Sequence, residues 1–114
     1  MNTADAPEPT LLEARVRPLG PADRLDGAAL AAQLARLPGW SVHEGALERR
    51  YGFADFDAAM AFAQQAARLA AHQDHHPELR IEWGRCTVRW HTHSAGGITM
   101  NDVVCAAQLD AARR

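Results

Sequence analysis

The sequence predicts an α+β domain of two layers, a four-stranded antiparallel sheet with helices on one face, in the order helix, hairpin, helix, hairpin, helix. Three observations carry this expectation. Two stretches alternate apolar and polar residues around a glycine-containing turn, one at Glu44-Gly45 and one at Gly84-Arg85. Three alanine-rich stretches repeat their apolar residues at helical spacing. The two patterns interleave along the chain, so an antiparallel sheet with helices on its apolar face is the simplest arrangement that buries every stripe.

Residues 1–23 mix Pro7, Pro9, Pro18 and Pro21 with Gly20 and hold no sustained apolar period, which predicts a mobile or loosely attached leader before a domain over residues 24–114. In DGAALAAQLARLPG, Leu30, Leu34 and Leu37 recur at helical spacing, with Asp26 as N-cap and Pro38-Gly39 as the stop. Trp40 to Phe53 reads as the first hairpin, its apolar positions being Trp40, Val42, Leu47, Tyr51 and Phe53. Asp55 caps a long second helix whose expected stripe is Phe56, Met60, Ala63, Ala67 and Ala70. That helix ends close to His75, because Pro77 disfavours helical geometry at His76. The second hairpin pairs Leu79–Trp83 with residues 86–92. Leu79, Ile81 and Trp83 share one face there, as do Cys86, Val88 and Trp90, while Thr87, Arg89 and His91 take the other. Thr99 then opens a third helix with Met100, Val103, Ala107 and Ala111 as its stripe.

At 114 residues the chain fits one domain. Alanine contributes little buried area per side chain, so the monomer core is modest and subunit association is expected to cover further apolar surface. The net charge is −2 and the 12 basic residues are scattered, which argues against a nucleic-acid surface. No apolar run is long enough for a membrane span, and Met1 to Pro9 do not read as a secretory signal, so the expected location is the cytoplasm. Cys86 and Cys105 are too few for a disulfide framework and read as reduced packing thiols rather than nucleophiles.

Five of the six histidines lie between positions 72 and 93, at the ends of elements. His75-His76-Pro77 closes the second helix, where the partial negative charge of the terminus favours protonated imidazole. His91 and His93 are two apart and project to one side if the strand stays extended. Capping of free carbonyls is the plain reading of adjacent histidines at a helix end. Against it stands the grouping of His-His-Pro, Thr-His and a glycine loop around one compact hairpin. Zinc is a further reading, since His-x-His on a strand supplies two imidazoles, but neither His-Glu-x-x-His nor a paired-cysteine motif accompanies it, and we expect no metal or other cofactor. Thr99-x-x-Asp102 matches a capping box in which the acid reaches back to the helix start. Trp83 and Trp90 read as core residues, with Trp83 also placed to border a flat aromatic ligand.

The string AHQDHHPELRIEWGRCTVRWHTHSAGGITMNDVV resembles the signature of the pterin-4a-carbinolamine dehydratase family, and LPGWSVHEGALERRYGFADFDAAMAFAQQAARLA resembles that family's start, first hairpin and helix. The likeness covers residues 25–112. It implies a two-layer α+β fold associating as dimers or tetramers, and a hydro-lyase that dehydrates 4a-hydroxytetrahydropterin (4a-hydroxytetrahydrobiopterin being the type substrate) to quinonoid dihydropterin, regenerating the pterin of aromatic amino acid hydroxylases. It further implies His75, His76 and His93 as active-site residues, with His76, Trp83 and Asp102 toward the substrate, and a pterin rather than nucleic acid or membrane as partner. One position departs from the pattern: Ala71 stands where many members carry an acid four residues before the first histidine, with His72 beside it. Two other roles are compatible with the resemblance, a non-catalytic dimerisation module that partners transcription factors and a paralogue serving the pterin of molybdenum-cofactor metabolism.

Overall fold

The computed structural model describes residues 10–113. Helix α1 spans Gly27–Leu34, strands β1 and β2 span Ser41–His43 and Ala46–Gly52, helix α2 spans Phe56–Gln73, strands β3 and β4 span Glu78–Glu82 and Arg85–Trp90, and helix α3 spans Met100–Arg113. The strands form one antiparallel sheet in the order β1-β2-β4-β3, with α2 and α3 packed against it and against each other. This is the expected two-layer α+β architecture.

The first hairpin turns at Glu44-Gly45, both with positive φ (48° and 76°), and His43 pairs with Ala46. Two consecutive positive φ angles match the right-handed twist of the flanking strands. The second hairpin differs by one residue from the expected register. Glu82 pairs with Arg85, so the two turn residues are Trp83-Gly84 rather than Gly84-Arg85. Gly84, at φ 75°, takes the second turn position, where positive φ costs it nothing. Trp83 therefore leaves the strand and is 75 % exposed, whereas Leu79 and Ile81 stay packed against the core.

Cys86, Val88 and Trp90 on β4 and Leu47 and Tyr51 on β2 form the sheet side of the core, all essentially inaccessible. The facing stripe of α2 is Ala59, Phe62, Ala63, Ala66, Ala70 and Gln73. Phe56 and Ala67, expected on that stripe, point outward. Alanine occupies so many positions of this helix that its period does not fix which face is buried; the large side chain decides. Phe62 does so by packing on Tyr51 and Phe53, with ring centroids 4.4 and 5.2 Å away. On α3 the buried surface is wider than the expected stripe: Val103 is on it, but so are Asn101 to Ala106 and Leu109, whereas Met100, Ala107 and Ala111 are half-buried. Alanines on both helices permit the close approach. α1 ends at Leu34, short of Leu37, and Asp26 stands at its N-cap position without a side-chain bond, whereas Asp55 caps α2 by accepting from Ala58 N at 2.8 Å.

Residues 1–9 of the expected leader lie outside the described residues. Residues 10–20 run across the ends of α2 and α3 and find their backbone partners in side chains there. Gln73 Oε1 accepts from Val16 N at 2.9 Å, Asn101 Oδ1 from Arg17 N at 3.2 Å, and Gln108 Nε2 donates to Ala14 O at 2.8 Å.

Asp110, near the end of α3, gathers Trp40 Nε1 and Arg49 Nη1, each at 2.9 Å, and the Tyr51 hydroxyl. Burial, then the hydrogen bond to Asp110 and its charge, pushes the Tyr51 phenol well above the usual tyrosine range. Burial likewise raises the thiols of Cys86 and Cys105, the latter to about 12 with Asp102 adding to the shift. These groups stay protonated in the folded chain at pH values where the unfolded chain ionises. The contribution of the thiols to stability is therefore complete below about pH 9 and falls as pH rises above it, for Cys105 towards about 12, with that of Tyr51 falling at higher pH still. Urea midpoints are expected to be level from neutrality to about pH 9 and to fall steadily beyond it. An aromatic disulfide reagent at pH 8 should label neither cysteine until the protein is unfolded; rapid labelling of the native state would contradict the packing described for β4 and α3.

Candidate active site

The site is built where α2 ends. Asp74 adopts the left-handed conformation (φ 52°), its N–H and that of His75 both returning to Ala70 O, and this turn carries His75 over the end of the sheet. The His75 ring lies parallel to Trp90, with centroids 5.7 Å apart and planes 10° apart. Its Nε2 is 2.7 Å from Asp102 Oδ1. The His75 side chain is 12 % exposed and that of Asp102 fully buried, so water competes little for this bond.

Asp102 is held from below as well. Its Oδ2 accepts from Thr99 N at 2.9 Å, which is the capping-box contact, and from Thr92 Oγ1 at 2.8 Å. Thr92 gives its only hydroxyl proton to the carboxylate, so in the 2.7 Å contact between Thr92 and Thr99 hydroxyls it is Thr99 that donates. Thr99 Oγ1 in turn accepts from Asn101 N at 3.2 Å. The chain of donors thus runs one way and ends on Asp102. An ionised carboxylate accepts only, so His75 presents N–H at Nε2, and in its neutral form the lone pair is left on Nδ1.

His76, His91 and His93 line, together with His75, a cleft of about 570 Å³ formed by residues 16–19, 73–76 and 91–94 with Asn101. His93 is not on an extended exit, as the sequence leads one to expect, but in a 3-10 turn, His93–Ala95. The turn is closed by the Thr92–Gly97 bridge and by Gly96 in the left-handed region (φ 70°). His91 and His93 still share a side, their ring centroids 6.4 Å apart. The fold therefore brings His75, His76 and His93 to one cleft, with His91 beside them and Asp102 beneath His75. It does not bring Trp83, which sits at the far end of β3, about 17 Å of strand away from His76 at roughly 3.3 Å per residue. Ala71 and His72 are exposed outside the cleft. Among the described residues, no three histidine, cysteine or acidic side chains are grouped as a metal-ligand set. A larger hollow of about 680 Å³ lies around Asp110, whose carboxylate is already taken by Arg49, Tyr51 and Trp40.

Thr92 is the residue bonded to Asp102 that reading the sequence for histidines passes over. The signal is present at Thr92, a hydroxyl in phase with Cys86, Val88 and Trp90 and so expected on the buried face.

The cleft thus gathers four imidazoles, one of them bonded to a buried carboxylate and stacked on an indole, groups of the kind that transfer protons in general acid–base chemistry. Residues 23–112 match the family model described as pterin 4 alpha carbinolamine dehydratase. The chain belongs to that family. It is 42 % identical over 104 residues, 89 % of this chain and 90 % of the other, to a Stenotrophomonas maltophilia protein named "putative pterin-4-alpha-carbinolamine dehydratase". It is 45 % identical over 82 residues to a Vibrio cholerae protein of the same name, covering 68 % of this chain and 75 % of that one. The crystal structure of a Brucella melitensis protein titled "transcriptional coactivator/pterin dehydratase" superimposes with a TM-score of 0.73 at 36 % identity, over 77 % of this chain and 96 % of that one. No helix among the described residues is long and apolar enough to cross a membrane.

Proposed function

We propose that this chain dehydrates 4a-hydroxytetrahydropterin to quinonoid dihydropterin, with His75 and His93 as the base and acid. The observation that carries the reading is the bond from His75 Nε2 to the buried Asp102. In the reaction the C4a–O bond breaks, the N5–H bond breaks and a C4a=N5 double bond forms, releasing water. His75 takes the N5 proton on Nδ1, and the imidazolium so formed is stabilised by Asp102. His93 delivers a proton to the departing hydroxyl. His76, on the cleft wall, anchors the pterin ring. Each proton passes through an imidazole, which can both accept and deliver it, so the step needs no cofactor. Asp102 is a positioning residue here, acting through His75, and Trp83 is left without a role at this cleft.

The same reading makes the chain a cytoplasmic enzyme of tetrahydropterin recycling, working as a homodimer or homotetramer. Exposed Val42, Phe56 and Trp83, at 42, 45 and 75 %, are apolar surface that association would cover. The test is kcat for the His93→Ala variant on enzymatically generated 4a-hydroxytetrahydropterin. His93 is exposed, so the variant folds, and kcat is expected to fall by about a hundredfold or more. A rate within about threefold of the wild type would remove His93 from the chemistry.

A further inference from the structure

Residues 14–17 are attached through groups that have little other use. Gln73 and Asn101 are 4 and 5 % exposed, and their carboxamides bond this segment: Gln73 accepts from Val16 N and donates to Ala14 O at 3.0 Å, while Asn101 accepts from Arg17 N and donates to Arg17 O at 2.7 Å. Without the segment Asn101 would lose both its side-chain partners and Gln73 all but the 2.7 Å bond from its Nε2 to Gln108 Oε1, so the seat is built into α2 and α3. Both anchors adjoin the site, Gln73 two residues before His75 and Asn101 next to Asp102. Ser94, after His93, adds a third tie to Leu19 O at 2.6 Å. The consequence is that residues 16–19 form one wall of the histidine cleft. They lie outside the region that matches the family model, residues 23–112.

We infer that this wall is part of the substrate site and that Arg17 on it binds an anionic group on the pterin side chain. The inference rests on the pterin reading above and adds the class of substrate. Arg17 lines the cleft and is exposed, and its guanidinium has no hydrogen bond or ion pair to another described residue. Neither cleft-side acid pairs with it: Asp102 is buried with both oxygens engaged, and Asp74 forms no ion pair with it. His76, His91 and His93 stand on the same cleft. The wall thus brings a permanent cation to the cleft that the imidazoles line, which complements phosphate better than a neutral polyol. The histidines hold the ring and the reacting carbon, so the wall meets the part in which pterins differ.

The test compares dissociation constants of a stable 6-(polyhydroxyalkyl)dihydropterin and its phosphate monoester, read by pterin fluorescence, for the full-length wild type, Arg17→Gln and Arg17→Glu. Wild type is expected to prefer the phosphate by at least about fivefold, with the preference gone in Arg17→Gln and reversed in Arg17→Glu. Equal binding of the two ligands by wild type, or a preference that survives both substitutions, overturns the inference while leaving the pterin site standing. Failure of folded wild type to bind either ligand overturns the pterin reading, and this inference with it.

Discussion

Replacing His75 by alanine is expected to lower kcat for dehydration by about 10²- to 10⁴-fold, the range for loss of one well-placed acid or base. The imidazole is the only ring in the cleft with a buried carboxylate behind it, so no neighbour can take over its role. Neither His76 nor His93 is hydrogen-bonded to an acid among the described residues. Alanine also leaves Asp102 Oδ1 without its partner and uncovers the face of Trp90. A loss of stability therefore accompanies the change, about 1–3 kcal/mol for the unsatisfied buried acceptor. His75→Gln separates the two effects, because its amide N–H can reach the carboxylate but cannot exchange a proton. Stability near wild type with kcat still depressed is the expected result, checked by urea titration beside steady-state rates. Recovery of activity in the glutamine variant would mean that His75 is there to hold Asp102 and not to move a proton.

The second large effect is expected at Asp102. Alanine there strands three donors, His75 Nε2 and the buried Thr92 Oγ1 and Thr99 N, and should cost about 3–5 kcal/mol, enough to unfold much of a domain of ordinary stability. Asp102→Asn is the informative variant. Its carbonyl oxygen can still accept from Thr92 and Thr99, so the start of α3 keeps its cap, but its amide turns N–H toward His75. The imidazole must then present a lone pair at Nε2 and carry its proton on Nδ1, the reverse of the tautomer the mechanism needs. We expect kcat to fall by about 10²- to 10⁴-fold with most stability retained. The ¹⁵N shifts of the His75 ring should report the exchanged tautomer. A merely structural carboxylate would give the opposite pairing, stability lost and the rate of the folded fraction unchanged.

Where side chains differ in size or chemistry along the chain, the structure could be read from the residues; where they do not, it could not. Glu44-Gly45 places the turn of the first hairpin to the residue. Cys86, Val88 and Trp90 likewise announce the buried face of β4, because a strand has a period of two and any slip inverts its faces. The buried face of α2 was not legible, since alanine on nearly every side leaves the helix's phase to Phe62 and to what it packs against on β2. Nor was the register of the second hairpin: a glycine suits either position of a two-residue turn, and the choice put Trp83 in the turn and exposed rather than in the strand. Of the candidate site, the gathering of His75, His76 and His93 was legible from their places at the ends of elements. The role of Asp102 was half legible. Its spacing from Thr99 gives the cap, but only the left-handed turn at Asp74 brings His75 to its second oxygen. The wall made by residues 16–19 was hidden because a proline-rich segment shows no period of its own, and its partners Gln73, Asn101 and Gln108 carry no pattern that singles them out.

Imidazole acid–base catalysis of one dehydration is tested most directly by the rate at which wild-type protein, treated with a chelator, removes freshly generated 4a-hydroxytetrahydropterin, followed by ultraviolet absorbance against the spontaneous reaction. The expected result is an acceleration that the chelator does not diminish and that rises in proportion to protein concentration. A folded protein that leaves the spontaneous rate unchanged would contradict catalysis by these histidines and point to a binding role for the same fold.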